Sequence, residues 1–218
     1  MNTLANDISL SWENYITYGK RIFFKEKSII FKQGDTGTGF YYVKKGLIKI
    51  VSEKSEKNER ILDIAGPGLL IGEQTMDHLP YYSTAISHVD SVLYYFSEKD
   101  YEEMTQKDPN VIALLAHSLI LKHRLLLNNI NAKSADTDYQ IAHSLLYLME
   151  SYKSKEINFT QQELSHYVGL TRITVYKVLK RWASDGILSI KNRKIFITDT
   201  NALIEKLLNK DSLSNAVV

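Results

Sequence analysis

Residues 110–130, NVIALLAHSLILKHRLLLNNI, run for about 20 residues without a Gly or a Pro. At 1.5 Å per residue such a stretch makes one helix about 30 Å long. Asp108-Pro109 ahead of it is a start signal, because Asp is a good N-cap and Pro suits the first helical turn. Apolar residues fall at Val111, Leu114, Leu121 and Leu125, with Ser118 inside the same 3–4 spacing, and a second stripe of Ile112, Leu115, Leu119 and Leu126 lies beside it. A helix apolar over so much of its circumference must be covered on more than one side. One side is expected to lie on a β-domain and the other on a second copy of the chain, with Val111, Leu114, Ser118, Leu121 and Leu125 as the dimerisation residues.

The long helix separates two unlike halves. From Arg21 to Phe96, segments such as KSIIFKQGD, GFYYVKKGLIKIVSE, ERILDIAG, STAISH and SVLYYFS are rich in Ile, Val, Tyr and Phe and are punctuated by Gly, Asp and Pro. That is the pattern of a sandwich or jelly roll; SEKSEKNE (52–59) reads as a polar hairpin tip. Ser97 can cap a short helix to about Gln106. NAKSADTD (131–138) is a small polar linker, and helices dominate after it. The expected fold class is α+β: an N-terminal jelly-roll β-barrel over 1–108, a dimerisation helix and hinge over 109–135, and a winged helix-turn-helix over 136–218.

Composition removes several function classes. The 218 residues include no Cys, so disulfides, thiolate-held iron–sulfur clusters and zinc–thiolate sites are excluded. Residues 1–20 lack the basic-then-apolar order of a signal peptide, and no run of 18 wholly apolar residues occurs, so a cytoplasmic protein without a membrane span is expected. The formal net charge of +2 hides an asymmetry: residues 1–108 carry 13 basic and 16 acidic side chains, residues 109–218 carry 14 and 9. Between Lys153 and Lys194, 9 basic residues face 3 acidic ones, a local surplus suited to a polyanion.

That basic stretch contains an ordered set of signals. Thr160 and Glu163 form a T-x-x-E capping box that starts a helix, which ends at Gly169. Thr171 caps the next helix, whose stripe of Val175, Val178, Leu179 and Trp182 points inward while Arg172, Ile173, Tyr176, Lys177 and Lys180 lie on the other side. Gly186 stops it. Two helices joined by a short Gly turn make a helix-turn-helix, and ILSI-KNR-KIFIT adds a hairpin wing. The first residues of a recognition helix meet base edges in the major groove. Arg172 is placed to bond a guanine edge, Lys177 a guanine or a phosphate, and Thr171 and Tyr176 a phosphate or a thymine methyl. Lys191, Arg193 and Lys194 suit phosphates. Thr160, Gln161, Ile173, Thr174 and Lys180 complete the expected contacts with double-stranded DNA.

With these motifs in place, the chain over residues 21–200 resembles the Crp/Fnr family of bacterial transcription regulators. The carriers are IIFKQGDTGTGFYYVKKGLIKI (29–50), ILDIAGPGLLIGE (61–73) and Gly-Leu-Thr-Arg at the helix-turn-helix. The resemblance implies a cyclic-nucleotide-binding-like sensor, a homodimer on a two-fold operator, and RNA polymerase as a further partner if the protein is an activator. It also implies an effector pocket at Gly72, Glu73, Tyr81, Tyr82, Ser83, Leu125 and Leu126. Departures from the family pattern fall in that pocket. Tyr81 and Tyr82 stand where cyclic-AMP-binding members carry the Arg-Ser pair that holds the phosphate, and Leu125-Leu126 stand where a Thr-Ser pair holds the adenine. Glu73 alone matches. Ile173 replaces a family Glu and offers only apolar contact.

No Lys or Arg occurs from Ile61 to Glu98, and a phosphodiester leaving water needs a compensating cation or several aimed N–H groups. Cyclic AMP, haem and an iron–sulfur cluster are therefore not expected as cofactors. An unknown neutral or aromatic effector, or a pocket plugged by its own Tyr and Leu side chains, is expected instead. The alternative, a cupin-like metal-dependent enzyme or small-molecule-binding protein on the jelly roll, needs clustered ligands. The six histidines, at 78, 88, 117, 123, 143 and 166, show no such spacing, and neither a catalytic nor a metal site is expected.

Overall fold

A computed structural model of the chain describes residues 11–53 and 59–208. The core of the predicted hairpin tip, 54–58, lies outside them. In chain order the elements are β1 (Lys20–Phe24), β2 (Ile29–Phe31), β3 (Gly39–Lys45), β4 (Ile48–Glu53), β5 (Glu59–Ala65), β6 (Leu70–Ile71), β7 (Thr84–Ser87) and β8 (Ser91–Ser97). Then come α1 (Glu98–Lys107), α2 (Asn110–Lys133), α3 (Thr137–Tyr152), β9 (Glu156–Ile157), α4 (Gln161–Val168), α5 (Arg172–Ser184), β10 (Leu188–Lys191), β11 (Lys194–Ile197) and α6 (Thr200–Leu208). The chain divides into two compact units, one of 1–53 with 65–126 and one of 54–64 with 127–218.

In the first unit the strands lie in two antiparallel sheets. One has the order β1-β8-β3-β6, and in the other β7 lies between β2 and β4. The expected barrel is therefore a two-sheet sandwich, with no closed ring of strands among the described residues. Between the sheets, Phe31, Val43, Ile48, Ile71, Tyr81, Ala85 and Leu93 make one apolar cluster. A second joins Phe40, Tyr42, Leu70 and Phe96 to Trp12, Met104, Val111 and Leu114. Trp12 sits on a single 3₁₀ turn capped by Ser11, edge-on to Phe40 with ring centroids 5.1 Å apart. A turn of four residues is too short to carry a periodic signal.

Helix α2 lies against this second cluster along one side. Val111 and Leu114 are fully buried there, and Trp12 Nε1 donates to Ser118 Oγ over 2.9 Å. This corrects the expected dimer face: Val111 and Leu114 are spent on the chain's own core, and Ser118, half-buried, is bonded to Trp12. Ile112, Leu119, Ile120, Leu126, Leu127 and Ile130 are the exposed apolar residues instead, together with Leu121. By length and a mean hydropathy of 1.3 the helix is long and apolar enough to cross a membrane. Lys122, His123 and Arg124 stand at its middle, where a bilayer tolerates charge least.

The second unit is built on α3, α4 and α5 around a fully buried Trp182, with Ile141, Leu145, Leu148, Phe159, Leu164, Val175, Leu179 and Leu203 also fully buried. Strands β10, β11 and β9 form a three-stranded sheet, with Lys191 opposite Lys194 at the β10–β11 end and Ile195 opposite Ile157 on the other side. Tyr147 Oη donates to the Ile64 carbonyl over 2.8 Å, fastening β5 to α3.

The buried side of α2 generates a clean prediction. Leu114→Ala is expected to destabilise the first unit by about 2–5 kcal/mol, through lost burial and a cavity, with no change in the association state. Denaturant unfolding and sedimentation of the same variant check both halves.

Candidate effector pocket and nucleic-acid interface

The effector pocket is expected beside the turn that follows β6. Gly72, at φ 83°, is the N-cap of a 3₁₀ helix, Glu73–Asp77. Tyr81 is buried and stacks on Phe31, with ring centroids 3.9 Å apart and planes 10° from parallel. The chain closes tightly on this ring: a Cβ at Gly37 would stand 2.5 Å from the Tyr81 ring and hydroxyl. Tyr41 stacks on Phe31 from 6.2 Å and meets Tyr95 at a tilt, with ring centroids 4.9 Å apart. Burial pushes the Tyr41 hydroxyl up to about 12 and raises that of Tyr81 as well, so both phenols are neutral at physiological pH.

Glu73 is the surviving family match, and it is already engaged. Its side chain is 7% exposed, and Oε1 pairs with the Lys122 ammonium of α2, which also donates to the Leu70 carbonyl over 3.4 Å. Glu73 Oε2 is buried with no hydrogen-bond partner. Of the expected pocket residues, the fold brings together Gly72, Glu73 and Tyr81. Ser83 is buried, and Leu125 is half-buried on α2. Tyr82 and Leu126 are exposed, at 60% and 43%.

Sequence reading missed Lys122. The pocket was judged free of cations because Ile61–Glu98 holds none, but the cation arrives from the long helix. The signal was present: Lys122 continues the 3–4 spacing of Val111, Leu114, Ser118 and Leu125, a lysine in a stripe that folds inward. Phe31, Tyr41 and Gly37 were missed as well. The Tyr81 ring is packed against Phe31, and the Glu73 carboxylate is held by Lys122.

The DNA-facing site is built from α4, α5 and the wing. Thr160 and Glu163 cap each other reciprocally: Glu163 N donates to Thr160 Oγ1 over 3.1 Å, and Thr160 N donates to Glu163 Oε2 over 3.0 Å. Gly169, at φ 83°, closes α4 in a left-handed conformation that favours glycine. Thr171 caps α5, accepting from Thr174 N over 3.2 Å. The hydroxyls of Thr160, Thr171 and Thr174 are thus engaged within the caps, as the sequence placed them for Thr160 and Thr171 but not for Thr174. At the wing tip Asn192 and Arg193 both have positive φ, 50° and 65°, as a two-residue hairpin of type I′ requires.

Val175, Val178, Leu179 and Trp182 are buried, and Arg172, Ile173, Tyr176, Lys177 and Lys180 are exposed. The Lys180 ammonium lies 5.9 Å from the centroid of the Tyr176 ring. Lys194 is paired with Glu156 at 2.6 Å, so it brings less charge to a phosphate than Lys191 or Arg193. Arg172 and Arg193 flank an open groove of about 500 Å³ that Thr160, Gln161, Gln162, Ile190 and Asn192 also line. Sequence reading had not assigned a role to Gln162, Ile190 or Asn192.

A sandwich sensor followed by a long helix and a winged helix-turn-helix defines a DNA-binding regulator. Residues 21–108 match the cyclic nucleotide-binding domain family and residues 140–206 the Crp-like helix-turn-helix domain. Similar curated proteins include the cyclic AMP receptor protein of Thermus thermophilus, 27% identical over 88% of this chain and 89% of that protein. Another is the anaerobic regulatory protein of Haemophilus influenzae, 25% identical over 83% of this chain and 74% of that protein. A solved CRP/FNR-family transcriptional regulator from Thermus thermophilus superimposes with a TM-score of 0.76 at 24% identity, covering 87% of this chain and 98% of that one. The chain belongs to the Crp/Fnr family of transcription regulators, whose members are not enzymes.

The Glu73–Lys122 pair yields a prediction. Lys122→Met leaves a buried carboxylate without its cation and is expected to cost about 3–5 kcal/mol. Adding Glu73→Gln to it should restore most of that loss. Urea unfolding of the two single variants and the double variant measures the coupling.

Proposed function

We propose that the protein is a homodimer that binds a two-fold operator through α5 and the wing, and that its sensor is held together by its own side chains rather than by a cyclic nucleotide. The observation that carries the sensor half is the joint filling of the pocket by Tyr81 and the Glu73–Lys122 pair. Two relatives are named for cyclic AMP, the receptor protein of Thermus thermophilus and the cAMP-activated regulator of Mycobacterium tuberculosis. The residues here favour a different state, in which an internal ion pair stands where the effector would sit.

The dimer half rests on the outward side of α2. Ile112, Leu119, Leu126 and Ile130 are exposed and repeat at spacings of seven, seven and four, with Ala116 and His123 between them. That is an a/d seam of the kind that packs against a second helix. The exposed Leu and Ile side chains have no other apolar surface to cover them among the described residues. The DNA-binding reading supports a cytoplasmic location. RNA polymerase is a partner if the bound operator lies where an activator works.

Arg172→Ala is expected to weaken specific operator binding by about 1–3 kcal/mol while leaving binding to unrelated duplex nearly unchanged. Leu119→Asp is expected to shift the protein to monomer and to lower operator affinity. Gel-shift titration and sedimentation velocity read the two effects. Specific binding that survives Arg172→Ala at full strength would contradict the recognition role, and a Leu119→Asp protein that stays dimeric would contradict the seam.

A further inference from the structure

Ile173 is the most exposed of the large apolar residues in the described part of the chain, at 68%. The other large apolar residues of α5, apart from Tyr176, are buried. At about 100° per residue, Ile173 lies opposite the midline of the stripe formed by Val175, Val178, Leu179 and Trp182. It sits on the second residue of the helix, and the first turn of a recognition helix enters the groove most deeply. The outermost point of the reading surface is therefore a branched hydrocarbon, set beside the exposed guanidinium of Arg172 and one turn before the Tyr176 ring.

An Ile at this place does nothing for the fold, because its burial is already minimal. In the major groove it can neither donate nor accept a hydrogen bond. The C5-methyl of thymine is the apolar group that the major-groove edge of the base pairs offers. A donor or acceptor beneath the Ile would lose its water with no partner in return, which selects against a cytosine amine or a guanine oxygen at that step.

We propose that Ile173 is a specificity-determining residue that reads a thymine methyl in each half-site, next to the base that Arg172 contacts. This rests on the regulator reading above and deepens it. Burying one methyl is worth about a fourfold change in affinity per half-site.

The test uses the full-length protein. Its operator is first selected from a randomised two-fold duplex library. Each thymidine of the selected site is then replaced, symmetrically and one pair at a time, by deoxyuridine, which removes the methyl and nothing else. One thymine per half-site is expected to be sensitive, with replacement in both half-sites weakening binding by about 15-fold. Ile173→Ala should bind the two duplexes within twofold of each other, and Ile173→Val should recover part of the discrimination. If the operator is bound specifically and no uracil position matters, the inference fails while the regulator reading stands. If Ile173→Ala remains as sensitive as the parent, another side chain reads the methyl and the inference fails. If no sequence is enriched at all, the regulator reading itself fails.

Discussion

The two-sided character of α2 is the constraint on which the rest depends. One side carries Val111, Leu114, Ser118 and Lys122, which the first unit's core, Trp12 and Glu73 engage, with Leu125 half-buried beyond them. The other side carries Ile112, Leu119, Leu126 and Ile130 and remains open. A helix covered on a single side would need no second stripe. Here the two stripes lie about a third of a turn apart, so neither can serve both partners.

Lys122 gives the inward side its particular chemistry. An ammonium and a carboxylate removed from water attract each other strongly, but the net stabilisation after desolvation is small. What the pair supplies is position: it holds α2 against the 3₁₀ turn that starts at Gly72. Lys122 joins that turn to α2 from within the chain, and the Tyr81–Phe31 stack packs beside Gly72. The DNA-binding unit, in contrast, keeps its reading surface uncommitted. Arg172, Lys177, Lys191 and Arg193 are exposed and make no ion pair among the described residues, while Arg181 and Lys194 are tied to Asp138 and Glu156.

Much of this was legible before any coordinates. The cap at Ser97, the capping box at Thr160, the Gly169 turn, the cap at Thr171 and the stop at Gly186 are local chemistry, and each forms where the residues placed it. Membership of the family was legible from the order of three motifs. The orientation of α2 was not, because two adjacent apolar stripes are equivalent until the sandwich chooses one. Lys122 was overlooked because a cation was sought within the pocket's own segment, and long-range pairing leaves little trace in a single sequence.

The central claim is that an internal ion pair and a stacked tyrosine stand in for a cyclic nucleotide. Operator affinity, measured by fluorescence anisotropy with and without millimolar cyclic AMP or cyclic GMP, tests it most directly. The account predicts tight, specific binding without nucleotide and a dissociation constant that changes less than about twofold on addition, since a ligand that favours neither state shifts nothing. Operator binding that appears only with nucleotide, or strengthens tenfold and saturates at micromolar concentration, would contradict it.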